Sequence, residues 1–214
     1  MIIDTFPIKI YRTNINIDNK IILEEAKRTM NKDVPFHLND TYNGYTSVQK
    51  RFWVDSPTYG KEFNNAVFKE VHNLIDTHVQ KYIDSLEIQQ KFINIKMSSS
   101  YLNYGESTLS RFHDHEGALI SYTYYFHLEG DLPELIFINP ISTVKARYPW
   151  NGLLYKTNTS TMTFEPQVGD LFLFPGYMLH GTEVINSKFK RWLFNGDYHV
   201  YSDSIPNFPP LSVD

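Results

Sequence analysis

The amino-acid sequence predicts a mainly β protein with flanking helices, of the double-stranded β-helix or jelly-roll type. From residue 92 onward, short β-like runs alternate with turn residues, which is typical of sandwiches and barrels. Two helix-like segments precede that point. A chain of 214 residues, 42% of them hydrophobic, can bury one sizeable core, so we expect a single domain over residues 1–214.

The N-terminal region, residues 1–91, is expected to be mixed and to support the barrel. The run TFPIKIYRTNI alternates like a short strand, and IDNKIILEEAKRTMN predicts a helix with Asp18 near its start. A second helix is predicted to begin near Ser56 and Pro57, which suit an N-cap and a first-turn position. Its apolar residues recur at helical spacing and need a sheet to cover them: Phe63, Val67, Val71, Leu74, Ile75, Val79 and Tyr82.

The barrel is predicted over residues 92–201, with 202–214 as a C-terminal tail. Its candidate strands are FINIKMSSSYLN, LSRFHDH, ALISYTYYFHL, ELIFIN, TMTFEP, DLFLFP and RWLFNGDYHVY. The segment PISTVKARYPWNGLLYKTNTS interrupts them, and loops of that length are usually functional or disordered. We expect either a lid over a site or packing of the loop's apolar side chains against the barrel: Tyr148, Trp150, Leu153 and Leu154.

Composition excludes several classes of chemistry. The chain has no cysteine, which excludes disulfides, thiolate nucleophiles and cysteine-ligated metals, so a metal would need His, Asp or Glu. The net charge is −4 and the basic residues are scattered, so nucleic acid is not an expected partner. The sequence shows neither a long apolar span nor a secretory signal, which predicts a cytoplasmic protein without a membrane partner. The oligomeric state stays open, a homodimer included.

Two histidines flank an aspartate in the stretch SRFHDHEGALISYTYYF. Side chains alternate along a strand, so His113 and His115 are expected on one face and Asp114 on the other. Such a pair can bind one ion, although surface or packing histidines are the alternative. His180, which follows the apolar strand DLFLFP, would complete a set of three ligands. Three protein ligands on one side of an ion leave the other positions open for substrate and dioxygen, as in non-haem iron sites.

Arg191 stands at the start of RWLFN, on the strand predicted to follow His180. An inward guanidinium there could hold a carboxylate through two parallel hydrogen bonds. The alternative is an ordinary surface arginine, because Lys188 and Lys190 lie beside it.

Taken together, these segments resemble the Fe(II)/2-oxoglutarate-dependent dioxygenases, in particular the prolyl-hydroxylase-like oxygenases of cyanobacteria, their phages and other marine bacteria. The matching pieces are YLNYGE, HDH, LISYTYY, FINP, GDLFLFP with its histidine, and RWLFN, and they cover Phe92 to about His199. The resemblance implies an enzyme that uses Fe(II), 2-oxoglutarate and O2 to hydroxylate an unidentified small-molecule or peptide substrate, with release of succinate and CO2.

The resemblance also implies the residues of the site. Iron would bind His113, His115 and His180, and Arg191 would pair with the distal carboxylate of 2-oxoglutarate. Two further residues of this chain would assist the cosubstrate, namely Asn103 and Tyr125. No catalytic side chain beyond the metal site is implied.

The chain departs from the family pattern in two places. Most such oxygenases have H-x-D or H-x-E, whereas His115 here leaves the site one negative charge short, as in the H-x-H subfamily. A bulge in the strand could bring in Asp114 in place of His115. The segment FINPI also lacks the acidic residue and the arginine that the subfamily tends to carry around the proline.

Two other functions remain open from the sequence. One is a cupin-type three-histidine dioxygenase that uses no oxoacid, although the glutamate that cupins place after H-x-H is replaced here by Leu119 and Ile120. The other is a non-catalytic jelly-roll binding module, which the 15% aromatic content would suit.

Overall fold

The computed structural model describes residues 8–30, 37–39, 44–46, 65–86, 94–107, 110–115, 117–140, 161–183 and 187–201. The elements in chain order are β1 (Tyr11–Asn14), α1 (Asn19–Met30), β2 (His37–Asn39), β3 (Gly44–Thr46), α2 (Ala66–Ser85), β4 (Asn94–Glu106), β5 (Ile120–Gly130), β6 (Leu135–Ile138), β7 (Thr161–Phe164), β8 (Asp170–Pro175), β9 (His180–Thr182) and β10 (Phe189–Tyr201).

The strands form two antiparallel sheets. A seven-stranded sheet has the order β1-β8-β5-β10-β4-β3-β2, and a three-stranded sheet has the order β7-β6-β9. The larger sheet thus draws β1, β2 and β3 from the N-terminal region: β1 pairs with β8 and β3 with β4, while β2 pairs with β3. The mainly β class with flanking helices is confirmed.

Strand β10 lies at the centre of the larger sheet, between β5 and β4. Its own residues alternate without interruption, because the register shifts fall where β4 and β5 each carry one extra residue. Trp192, Phe194 and Tyr198 pack into the main hydrophobic core. Arg191, Leu193 and Asn195 lie on the other face and line a cavity. One face of the sheet therefore makes the core and the other makes the site.

The two helices cover the core face of the larger sheet. Helix α1 begins after Asp18, whose Oδ1 accepts a hydrogen bond from Lys20 N at 3.0 Å, as the sequence predicted. Helix α2 buries the expected apolar stripe against the sheet: Val71, Ile75, Val79 and Tyr82. No helix of the described residues is long and apolar enough to cross a bilayer.

The N-cap of α2 corrects the prediction. Asn65 is the cap, and its side chain accepts a hydrogen bond from Phe68 N at 2.9 Å. Helix α2 thus begins at Ala66, later than Ser56 and Pro57, which lie outside the described residues together with Phe63. Both positions offer a small polar residue, and only tertiary packing decides between them.

A second hydrophobic core fills the space between the two sheets. Its buried members are Tyr125, Leu135, Phe137, Phe172, Phe174, Met178 and Leu193. Strand β8 serves both cores, since Leu171 and Leu173 belong to the helix-covered core and the alternate Phe172 and Phe174 to this one. A strand buried on both faces explains why residues 171–174, LFLF, are apolar without alternation.

Two other predictions need comment. The run LSRFHDH was expected to be a strand, but residues 110–115 pair with the small sheet only through an isolated bridge, so that prediction is wrong. His180 follows the apolar strand β8, as expected, and begins the separate strand β9. The loop 141–160 and the tail 202–214 lie outside the described residues, with the proposed lid and its aromatic side chains.

Candidate metal centre

Three histidine rings converge at one end of the space between the sheets. His113, His115 and His180 each offer a ring nitrogen, and these atoms all lie within 4.8 Å of one another. Their ring centroids are 4.5 to 5.3 Å apart. The described part of the chain contains this one group of three or more residues that could hold a metal ion.

Backbone hydrogen bonds bring the rings together. The N–H groups of His113 and His180 donate to each other's carbonyl at 3.0 and 2.9 Å. Ser110 N donates to Thr182 Oγ1 at 2.8 Å, which ties the same segment to β9. His115 N donates to the carbonyl of Gly176, in the turn after β8, at 2.8 Å. An irregular segment is thus held as firmly as a strand would be.

The Nδ1 atoms of the three rings are all engaged. Nδ1 of His113 donates to Arg111 O at 2.8 Å, and Nδ1 of His180 donates to Met178 O at 2.9 Å. Nδ1 of His115 lies 2.7 Å from Oδ1 of Asp197. Because carbonyls and carboxylates only accept, each Nδ1 carries the proton, and in a neutral ring the lone pair stands on Nε2. The site therefore offers three Nε2 ligand atoms.

Burial favours the neutral form of two of these rings, His113 and His180. Burial lowers the pKa of His180 well below 6.5, and the neighbouring His113 and His115 lower it further. Burial also lowers the pKa of His113, although its hydrogen bond to Arg111 O opposes the shift. A neutral imidazole is the form that binds a metal, so these shifts favour metal binding near neutral pH.

Asp197 is a site residue that the sequence analysis missed. It lies on the cavity side of β10 in the alternation of Arg191, Leu193 and Asn195, and that period of two was the signal that could have found it. Burial acts to raise the pKa of this carboxyl, but hydrogen bonds from His115 and Ser121 outweigh burial and hold the pKa below its ordinary value.

One cavity of about 230 Å³ is lined by every site residue that the sequence singled out. These residues are Asn103, His113, Asp114, His115, Tyr125, His180 and Arg191. Asp114 is exposed at the cavity wall and does not belong to the histidine cluster. The arrangement brings His115, rather than Asp114, together with the other two histidines.

Arg191 is a buried cation in this cavity. Only 2% of its surface is exposed, and its guanidinium carbon lies 5.7 Å from the centroid of the Phe189 ring. Buried guanidinium groups suit planar anions, because their fixed donors match a carboxylate in two parallel hydrogen bonds.

Asn103 presents a polar atom to the same cavity. Its Oδ1 is buried and has no hydrogen-bond partner among the described residues. Because the O and N of an amide are interchanged by a simple flip, this position can present either an acceptor or a donor to a ligand. A buried polar atom without a protein partner is costly, which favours a bound polar molecule here.

Tyr125 lies on β5 opposite Leu193 of β10 and is 3% exposed. Its ring packs edge to face against Phe172, with centroids 6.1 Å apart. Packing on both sides fixes the orientation of the ring at the cavity wall.

Comparison with known proteins identifies the family. Residues 101–197 match the family model described as "Putative 2OG-Fe(II) oxygenase". This match, over just under half of the chain, indicates a 2OG-Fe(II) oxygenase, which is an oxidoreductase that uses Fe(II), 2-oxoglutarate and O2. A comparison with curated protein sequences found no match.

Solved structures share the fold. A prolyl-4-hydroxylase from Pseudomonas putida has a TM-score of 0.57 at 10% identity, over 91% of this chain and 94% of that chain. HygX from Streptomyces hygroscopicus, with nickel, 2-oxoglutarate and hygromycin B bound, has a TM-score of 0.54 at 8% identity, over 90% of this chain and 83% of that chain. These likenesses confirm the double-stranded β-helix of this oxygenase.

The site residues fit the cofactors of the family. Three imidazoles that present Nε2 to one point are ligands that Fe(II) accepts, and the buried guanidinium and the Asn103 amide suit a small dicarboxylate. The family match favours an oxygenase that uses 2-oxoglutarate over the cupin-type dioxygenase and the binding module.

Proposed function

We propose that this oxygenase hydroxylates a C–H bond of its substrate and releases succinate and CO2, with Fe(II) bound by His113, His115 and His180. The observation that carries the proposal is the convergence of three Nε2 lone pairs in a cavity that also contains a buried arginine. When bound, Fe(II) and 2-oxoglutarate supply the oxidising chemistry, and the protein supplies geometry and environment.

The role proposed for Arg191 is to hold the distal carboxylate of 2-oxoglutarate. Its burial removes competing water, so the two charge-assisted hydrogen bonds are stronger than they would be at the surface. Asn103 and Tyr125 would supply further polar contacts to the cosubstrate from the same cavity wall. Leu135 and Leu193 make part of the lining apolar, which limits the water that enters.

The size of the cavity bears on the substrate. At about 230 Å³, it is smaller than the roughly 300–1,000 Å³ typical of pockets for drug-sized ligands. A cavity of this size, shared with 2-oxoglutarate, suits the entry of one group of a substrate. Proteins of this fold include a prolyl-4-hydroxylase and a protein solved with hygromycin B. We propose a small molecule or a peptide that inserts one side chain.

An anaerobic titration tests the proposed function. Protein loaded with Fe(II) is titrated with 2-oxoglutarate while the visible metal-to-ligand absorption band is followed, and succinate and O2 uptake are then measured in air. We expect the band to appear and succinate to form as O2 is consumed. His180→Ala should abolish both, whereas the matched change His127→Ala, at a ring that contacts Glu129 away from the cavity, should abolish neither.

The same experiment can refute the proposal. An Fe(II)-loaded protein without 2-oxoglutarate binding would exclude it. Uptake of O2 without succinate would instead support a three-histidine dioxygenase that uses no oxoacid.

A further inference from the structure

The carboxylate of Asp197 stands directly behind one of the three metal-binding rings. Its Oδ1 lies 2.7 Å from Nδ1 of His115, on the side of the ring opposite Nε2. The residue is 9% exposed, and Asp197 and His115 have matching side-chain exposures of 12%. The pair is thus largely shielded from water.

The two strands beside β10 build a cradle for this carboxylate. Asp197 pairs with Ser99 on β4 and with Ser121 on β5. Ser121 Oγ donates to Oδ1 at 2.8 Å, and Ser99 Oγ donates to Oδ2 at 3.5 Å. Directly opposed residues in an antiparallel sheet share a face, so the register itself aims both hydroxyls at the carboxylate. Its geometry is fixed independently of His115.

The other two metal-binding rings lack such a partner. His113 and His180 both donate Nδ1–H to backbone carbonyls, which carry only a partial charge. His115 alone among the three donates to a carboxylate. The three ligands are therefore electronically unequal, although they are the same residue type.

The carboxylate behind His115 affects the net charge around the metal. A non-haem iron site with two histidines and one carboxylate brings one negative charge to the metal, whereas three neutral histidines bring none. Burying a carboxylate costs free energy unless the group is hydrogen-bonded or close to a cation. The hydrogen-bond donors to Asp197 are hydroxyls and an imidazole. A divalent ion one imidazole away would balance the charge.

We propose that Asp197 is the positioning residue of the metal centre: it orients His115 with Nε2 toward the ion, and it supplies, one imidazole away, the negative charge that a ligand carboxylate would otherwise provide. This inference rests on the proposed iron site. Outer carboxylates of this kind raise the basicity of the ligand they contact and fix its tautomer.

The test separates charge from orientation with two substitutions. Asp197→Asn keeps the shape and an oxygen that accepts from His115 but removes the charge, and Asp197→Ala removes both. Affinity for Co(II) as the probe ion is measured by its visible absorption, and the Fe(III)/Fe(II) midpoint potential is measured on the iron-loaded protein. We expect Asp197→Ala to weaken Co(II) binding roughly 10- to 100-fold and Asp197→Asn to weaken it less.

The midpoint potential would not change if Asp197 had only a structural role. Because a nearby anion stabilises Fe(III) over Fe(II), Asp197→Asn should raise the midpoint potential. The matched control is Glu129→Gln, which removes the charge from a second carboxylate–histidine pair, with His127, outside the cavity. It should change neither quantity.

Each outcome has one meaning. Co(II) affinity and midpoint potential unchanged in Asp197→Asn, with metal binding intact in the unsubstituted protein, would overturn this inference alone. Failure of the unsubstituted protein to bind Co(II) would overturn the iron site, and this inference with it. Circular dichroism checks that Asp197→Ala is folded, and the isosteric Asn variant carries the decision if it is not.

Discussion

His113 and His180 are joined by a reciprocal pair of backbone hydrogen bonds, with N···O distances of 3.0 and 2.9 Å between each N–H and the other's carbonyl. Their rings lie on the same side of this bridge, with centroids 4.5 Å apart. Two residues far apart in the sequence are thus set as cross-strand neighbours by the backbone alone. This backbone pairing places both rings at the proposed metal site.

The pairing of His113 with His180 predicts the effect of removing either ring. His113→Ala and His180→Ala should each weaken Fe(II) or Co(II) binding by at least about 100-fold, because two ligands remain where three are needed to enclose one face of the ion. Isothermal titration gives the affinity. Since the backbone bridge survives in both variants, their thermal unfolding should show a folded protein. Stoichiometric binding by either variant at the original affinity would remove that ring from the ligand set.

The identity of the third ligand can be decided by paired substitutions of adjacent residues. His115→Ala should abolish tight Co(II) binding, whereas Asp114→Ala should leave the Co(II) absorption spectrum unchanged. The reason is that the ring of His115, and not the exposed carboxylate of Asp114, belongs to the cluster. The reverse result would mean that the segment shifts when metal binds.

Substitution of Arg191 is expected to affect 2-oxoglutarate selectively. Arg191→Met should weaken 2-oxoglutarate binding roughly 100-fold, the equivalent of about 3 kcal/mol for charge-assisted hydrogen bonds, while Co(II) affinity stays nearly the same. Titration of the metal-loaded protein measures both constants. The control is Lys190→Met, an exposed neighbour on the opposite face of β10, which should bind 2-oxoglutarate normally. Equal losses in both variants would point to general electrostatics instead of a specific contact.

Gly176 links the turn after β8 to the segment that carries His115. A Cβ at this position would lie 2.3 Å from the carbonyl oxygen of Ala118, so Gly176→Ala must displace backbone. We expect the free energy of unfolding to fall by about 1–3 kcal/mol, and Co(II) binding to weaken because Gly176 O holds His115 N. Chemical denaturation and metal titration measure the two effects. Tyr177→Ala, at a ring 59% exposed, should show neither.

The buried His72 predicts an acid sensitivity of the apo-protein. Burial lowers its pKa from 6.5 to about 3. Between these pH values the unfolded chain binds a proton at this ring and the folded protein does not. Stability is therefore full above pH 6.5 and falls toward pH 3, by up to about 1.4 kcal/mol per pH unit from this residue. The lowered pKa values of His113 and His180 act in the same direction.

Urea denaturation between pH 7 and pH 5 isolates the contribution of His72. In His72→Gln, the decline of the free energy of unfolding with falling pH should be smaller by the equivalent of about one bound proton. This holds whatever the substitution does to the absolute stability. The control is His127→Gln, at a ring paired with Glu129, which should keep most of the slope. An unchanged slope in His72→Gln would show that this ring is not the source.

Local patterns were enough to predict much of the site. The H-x-H pair, the strand DLFLFP with the histidine after it and the family motifs led to His113, His115, His180 and Arg191, and the structure brings these residues to one cavity. These signals are local, or depend on pairs of strands that the family pattern fixes. Side-chain types and spacing therefore carried most of the prediction.

The predictions from sequence failed where tertiary contacts determine the local structure. LSRFHDH has strand-like alternation, but its pairing with β9 is limited to one bridge, so it forms an irregular segment. The start of α2 depends on which candidate residue caps the helix in the folded protein, and Asn65 rather than Ser56 is its N-cap. The role of Asp197 depends on its contacts with His115, Ser99 and Ser121, which lie about 75 to 100 residues away in the sequence.

The uninterrupted alternation of β10 limits how this gene can change length. Arg191 and Asp197 face the same side because they are six positions apart, an even offset, along a regular strand. Inserting or deleting one codon between them would turn one of the two away, so either the arginine or the carboxylate would leave the site while the local composition hardly changed. Insertions and deletions of single residues in this stretch should therefore be far more damaging than most substitutions within it.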